Sequence, residues 1–174
     1  MGLWMGGLPY WDLLWSRFMK FAEKAPAVAL LPILFITVGT GELSKIVLIV
    51  IGTMPTIILD TRLKALNVPD EYIVKAMTFN ASNPEMLYLV KLKAIMPAVL
   101  HTIRLNVRVI VLFILVAESL AASSGLGYRI FVVKRQAQMD IIIPYVVWIS
   151  FLTTLVDVGI GAFINWKYKW YEHA

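Results

Sequence analysis

The 174-residue chain has no cysteine, so neither a disulfide framework nor a thiolate metal or redox site is open to it. Charge is scarce too. Only 16% of residues are Asp, Glu, Lys or Arg, against about 25% in ordinary soluble domains. The common catalytic signatures are missing: there is no paired acidic motif, no His-Glu-x-x-His and no Gly-x-Ser-x-Gly. Gly39-Thr40-Gly41-Glu42 begins like a phosphate loop, lacks the closing Gly-Lys-Ser/Thr, and reads as an outer turn. An intramembrane lipid transferase or protease would therefore lack its nucleophile or metal set. No cofactor, metal or enzymatic activity is expected. The formal charge is +5, but the basic residues are scattered between apolar stretches, which argues against a nucleic-acid partner.

What the chain does have is hydrophobicity. Apolar residues make up 60% and the mean hydropathy is +0.77, the composition of an all-α integral membrane protein in a lipid bilayer. Four candidate spans lie at 18–38, 44–59, 95–117 and 141–166, judged against the need for about 20 apolar residues. The first is interrupted by Glu23, Lys24, Pro26 and Pro32, which favours an interfacial lower part. The second is short, and Pro55 is expected to kink it. Trp4, Tyr10, Trp11 and Trp15, followed by Arg17, Lys20 and Lys24, form an aromatic and basic belt. Met1 to Tyr10 carries no basic residue and no cleavage site, so it reads as mature sequence rather than a signal peptide. Without repeats, low-complexity tracts or a linker, 1–174 reads as a single membrane domain.

A polar insert, 62–94, separates the second and third spans. It carries Arg62, Lys64, Lys75, Lys91 and Lys93, and the positive-inside rule puts it in the cytoplasm with both chain termini. Lys45, Arg129, Lys134 and Arg135 then fall outside. Pro69-Asp70-Glu71 is a helix start, because proline suits the first turn and acidic side chains complement its free amides. Tyr72, Ile73, Ala76 and Met77 give that helix an apolar face. Asn80 tolerates the left-handed conformation and should end it. Ser82 and Glu85 are spaced as a capping box, and Asn83-Pro84 opens a second short helix made apolar by Met86, Leu87, Leu89 and Val90. Pro97 marks the start of the third span. The sequon Asn80-Ala81-Ser82 is inert on the cytoplasmic side.

The insert resembles the cytoplasmic loop of binding-protein-dependent ABC transporter permeases, whose motif runs Glu-Ala-Ala, three residues, Gly, nine residues, Ile-x-Leu-Pro. That register sets Val74, Lys75 and Ala76 on the triplet, Asn80 on the glycine, and Val90, Leu92 and Lys93 at the end. Ala76 and Leu92 match strictly, and Pro97 stands for the proline. The run Ala117-Glu118-Ser119-Leu120-Ala121-Ala122-Ser123-Ser124-Gly125-Leu126-Gly127-Tyr128 resembles the nitrate, taurine and aliphatic-sulfonate permeases, with Pro26 to Gly39, Ile103-Arg104, Asp140 and Asp157 also in place. The resemblance implies the C-terminal part of a type I importer permease in a bacterial-type inner membrane. It implies a cytoplasmic ATP-binding subunit that holds the ATPase activity, a second permease copy and an extracytoplasmic solute-binding protein. It assigns ATPase coupling to Ala76, Asn80, Ala81, Ser82, Met86, Leu87 and Val90, and a small oxyanion or sulfonate as cargo. Because such permeases carry further spans before the matched region, a truncated permease, or a non-transporting scaffold, is the alternative expectation.

Candidate pathway residues are Arg108, Glu118, Ser123 and Ser124. His101, Arg104 and Arg108 share one face of the third span, with Glu118 near it. Charge at bilayer depth costs about 2.5 to 3.5 kcal/mol per residue, so these groups should face protein or water. His101 and Arg104 are expected to snorkel to the inner surface. Arg108 either attracts anions or pairs with Asp157 or Glu118. Ser123 to Tyr128 is a non-helical turn that lines a cavity or forms an ordinary outer loop, and Asp157 is expected to be a buried structural partner.

Overall fold

A computed structural model describes residues 1–121, 124–136 and 138–171, with the side chain of residue 121 left aside. Every regular element among them is helical. In chain order these are α1 (Gly2–Gly7), α2 (Pro9–Lys24), a 3-10 turn (Ala27–Leu30), α3 (Leu31–Thr37), α4 (Glu42–Leu66), α5 (Asp70–Thr78), α6 (Asn83–Glu85), a π segment (Met86–Lys91), α7 (Leu92–Ala121), α8 (Leu126–Arg135) and α9 (Met139–Lys167).

Three helical runs are long and apolar enough to cross a membrane: Glu42–Leu66, Asn83–Leu120 and Met139–Lys167. They contain the expected spans 44–59, 95–117 and 141–166. The stretch 18–38 is instead broken. Ala25 adopts extended backbone with ψ 127°, as the residue before a proline must, since the Pro26 ring clashes with a helical predecessor. Helix resumes only as Ala27–Thr37, an apolar piece too short to span alone. The Gly39-Thr40-Gly41 stretch is a turn between α3 and α4, with Gly39 at φ +90°.

Contacts divide the chain into two compact units. The first comprises Met1–Ala25, Pro55–Ile103 and Phe163–Ala174. Leu3, Ala65, Val68, Leu87 and Ile95 form one apolar cluster in it, and Met5, Met19, Ile58 and Leu59 another. Gly2 and Gly6 let α1 lie directly on α4: an added Cβ would come within 2.4 Å of the Ile58 carbonyl or 2.7 Å of the Arg62 carbonyl. The second unit comprises Pro26–Met54 and Arg104–Ala162. Its core is Ala27, Leu31, Leu34, Leu48, Phe113 and Ala117.

Candidate functional site

The polar insert folds much as its capping residues dictate. Pro69 caps α5 in extended backbone, with Asp70 and Glu71 in the first turn. Asn80 has φ 58°, the one positive value among described non-glycine residues. Its amide donates to the Met77 carbonyl at 2.9 Å, and the Ala81 amide donates to the Ala76 carbonyl at 3.1 Å. This pair of bonds closes the helix end in the Schellman pattern. Ser82 then donates from its amide and its hydroxyl to Glu85 Oε2, at 2.8 and 2.7 Å, which fixes the next helical start.

The second arm is not a separate short helix. Asn83 begins a run that continues through the π segment into α7, and Pro97 sits inside α7 rather than at a boundary. Leu87 and Ile95, both buried in one cluster, hold this run against the first unit's core; tertiary packing of this kind outweighs the hydrogen bond that a proline removes.

Within the insert, α5 has no buried residue. Tyr72, Val74, Met77 and Phe79 are exposed, Phe79 to 87%, and so is Leu89 on the π segment. Ala76, Ala81, Met86 and Val90 are half-buried, and Asn80 and Ser82 are exposed. Leu87 differs from its neighbours in the insert. It is only 4% exposed, and its side chain reaches the position a Gly7 Cβ would take, so it anchors the insert to α1. Sequence reasoning did not single out Phe79, although a large aromatic beside a left-handed asparagine in a polar insert was a usable signal.

Ion pairs tie the rest of this unit together. Arg62 on α4 bonds Asp12 on α2, and this guanidinium hydrogen bond holds the Asp12 carboxyl below its ordinary 3.8. Lys64 bonds Asp60 and Thr102 and donates to the Ala98 carbonyl at 2.9 Å, joining α4 to α7.

In the second unit the structure reassigns the charged residues. Asp157 pairs with Arg104, not with Arg108: Arg104 Nε donates to Oδ1 at 2.8 Å and an Arg104 terminal nitrogen to Oδ2 at 2.6 Å. Arg104 therefore does not snorkel. Gly161, one turn beyond Asp157, leaves room for the guanidinium, which a Cβ there would meet at 2.8 Å. His101 is half-buried, and Arg108 is exposed on α7.

Glu118 does not pair with Arg108 either. Its Oε2 accepts the Gly127 amide at 2.9 Å, and its Oε1 lies 3.5 Å from Lys45 Nζ. Lys45 is also 2.7 Å from Glu42. Glu118 thus fastens the start of α8 and the start of α4 to the end of α7. Ser124 is exposed and lines a cavity of about 360 Å³ with Tyr128, Arg129 and Tyr145. Ser123 lies outside the described residues. Among the described residues there is no cluster of His, Asp and Glu able to hold a metal.

Residues 1–173 match the family described as binding-protein-dependent transport system inner membrane component. A Methanocaldococcus jannaschii protein provisionally named as an ABC transporter permease is 28% identical over 97% of this chain and 63% of its own length. The taurine transport system permease protein of Escherichia coli is 25% identical over 93% of this chain and 59% of its own. A provisionally named aliphatic sulfonates transport permease of the same organism is 26% identical over 81% and 54% respectively. The chain thus spans roughly three-fifths of the length of the curated relatives it matches.

Proposed function

The chain belongs to the binding-protein-dependent transport system inner membrane component family, and on that premise we propose that it is the permease part of an ABC importer. In this reading the spans contribute to a solute pathway, and the insert docks on a separate cytoplasmic ATP-binding subunit that performs all nucleotide chemistry. A second permease copy and an extracytoplasmic solute-binding protein complete the assembly. The insert and both termini lie on the cytoplasmic side, as the distribution of Lys and Arg favours.

The observation that carries the reading is the exposure of large apolar side chains along α5 and at its C-cap. Val74 and Met77 share one exposed side of α5, Phe79 is exposed at its C-cap, and no described residue of α5 is buried. The Asn80 and Ala81 amides close the C-terminal end of α5 on the Met77 and Ala76 carbonyls and so fix where Phe79 is presented. Such an apolar surface is characteristic of a protein interface. The names of the taurine and sulfonate relatives favour a small sulfonate or oxyanion as cargo. Arg108 and Ser124, both exposed, are the groups assigned to meet it in this reading. Glu118, engaged with Lys45 and Gly127, serves to position the turn before α8.

The natural lack of cysteine makes the test clean. In the assembled transporter, Met77→Cys or Phe79→Cys should crosslink to the ATP-binding subunit, and Phe79→Asp should abolish ATP-driven uptake while leaving the chain in the membrane. Crosslinks that never reach a nucleotide-hydrolysing subunit, or thiol labelling of the Phe79→Cys variant only from the outer face, would refute the proposal.

A further inference from the structure

Beside α5 the first unit contains a cavity of about 750 Å³ to which nothing above assigns a ligand. Its polar lining is Lys64, Asn67, Tyr72, Lys93, Trp170 and Tyr171, over an apolar floor that includes Val68, Ile95 and Ala98. Among the described residues no Asp or Glu lines it. Lys64 is engaged by Asp60, Thr102 and the Ala98 carbonyl. Lys93 is exposed and lies in no ion pair among the described residues. The site therefore offers one uncompensated cation and several N–H and O–H donors above a hydrophobic floor, which suits an anion carried on an apolar stem.

Its position in the sequence points to the source of that anion. Lys64 is two residues from the end of α4, Lys93 two residues before the span 95–117, and Trp170 three residues past the end of α9. Lys64 and Trp170 lie at ends of membrane-crossing helices, and Lys93 lies inside the Asn83–Leu120 run just before its expected span; where hydrocarbon gives way to headgroups, Trp, Tyr and basic side chains concentrate. Basic pockets between spans on such a surface recognise anionic lipids.

We propose that this cavity binds the phosphate headgroup of an anionic membrane lipid, with Lys93 facing the phosphate and Trp170 and Tyr72 flanking it. Because Tyr72 belongs to α5, an occupied site steadies the docking helix. The proposal rests on the membrane-embedded family assignment and is independent of ATPase docking.

The test uses the full chain in neutral detergent, titrated with phosphatidylglycerol or phosphatidylcholine and read by native mass spectrometry. Phosphatidylglycerol should be retained preferentially. Lys93→Gln should weaken that retention about five-fold, the usual worth of one basic residue at an anionic surface, and Lys134→Gln on α8 should leave it unchanged. Circular dichroism checks that both variants keep their helices. Equal retention of the two lipids, or a Lys93→Gln variant that binds like the native chain, overturns the proposal. Displacement of the lipid by glycerol phosphate at equal concentration also overturns it, by assigning the site to a soluble phosphoester. Failed ATPase crosslinks with lipid preference intact would remove only the docking reading.

Discussion

Gly125 is the position where a single methyl group should do the most damage. Its backbone, at φ 115° and ψ 170°, lies in a region essentially reserved for glycine, and forcing another residue there costs about 1 to 3 kcal/mol. An added Cβ would also sit 2.4 Å from the Glu118 carboxylate. Backbone on one side and the α7 helix on the other leave the carboxylate to move, which breaks its bond to the Gly127 amide. A hydrogen bond to a charged group contributes about 1.5 to 3 kcal/mol. The contact to Lys45, at 3.5 Å, is too long to carry as much as the Gly127 bond. Gly125→Ala should then cost about 2.5 to 6 kcal/mol, a fall in melting temperature on the order of 10 °C for a chain of this size. Thermal unfolding in detergent measures it, and a double-mutant cycle with Glu118→Ala isolates the collision. Removing the carboxylate should leave only the backbone strain, so Gly125→Ala should cost visibly less in that background. An identical cost in both backgrounds, or no cost at all, would refute the latch formed by Glu118.

Asp157→Asn should destabilise the second unit by about 2 kcal/mol, because it leaves the Arg104 charge without its bidentate partner; adding Arg104→Gln should recover part of the loss in thermal melts. The Asp12–Arg62 bond predicts acid sensitivity of α2 packing. The Asp12 carboxyl titrates below 3.8 when folded, so its contribution is complete above the unfolded value and is lost as pH falls through the folded one. Hydrogen exchange of α2 should accelerate in that window, and Asp12→Asn should make exchange pH-independent there apart from its intrinsic rate.

Local chemistry was the legible part of this sequence. Pro69, Asn80, Ser82 and Glu85 announce their backbone states through their own side chains, and the structure shows each of them in that state. Pairings between helices were not legible. Arg104 and Arg108 lie one turn apart on the same face, so periodicity could not choose which of them meets Asp157. The choice is made by Gly161, whose missing side chain clears a space opposite Arg104. Leu87 shows the same limit: its type suits an exposed docking face or a core equally, and the neighbouring glycine at position 7 decides for the core. Continuity between the insert and the third span was hidden for a related reason. Pro97 is a breaker by local rules, and only the burial of Leu87 and Ile95 in one cluster keeps the helix running through it.

The π segment Met86–Lys91 has a consequence for how length can change in this chain. A wide turn of this type is an α-helix with one surplus residue. Deleting a single residue there lets the turn relax to ordinary α geometry, with the flanking stretches keeping their facing. The same deletion elsewhere in the 38-residue run would swing everything beyond it by about 100°. Met86–Lys91 is thus the expansion joint of the longest rod in the protein.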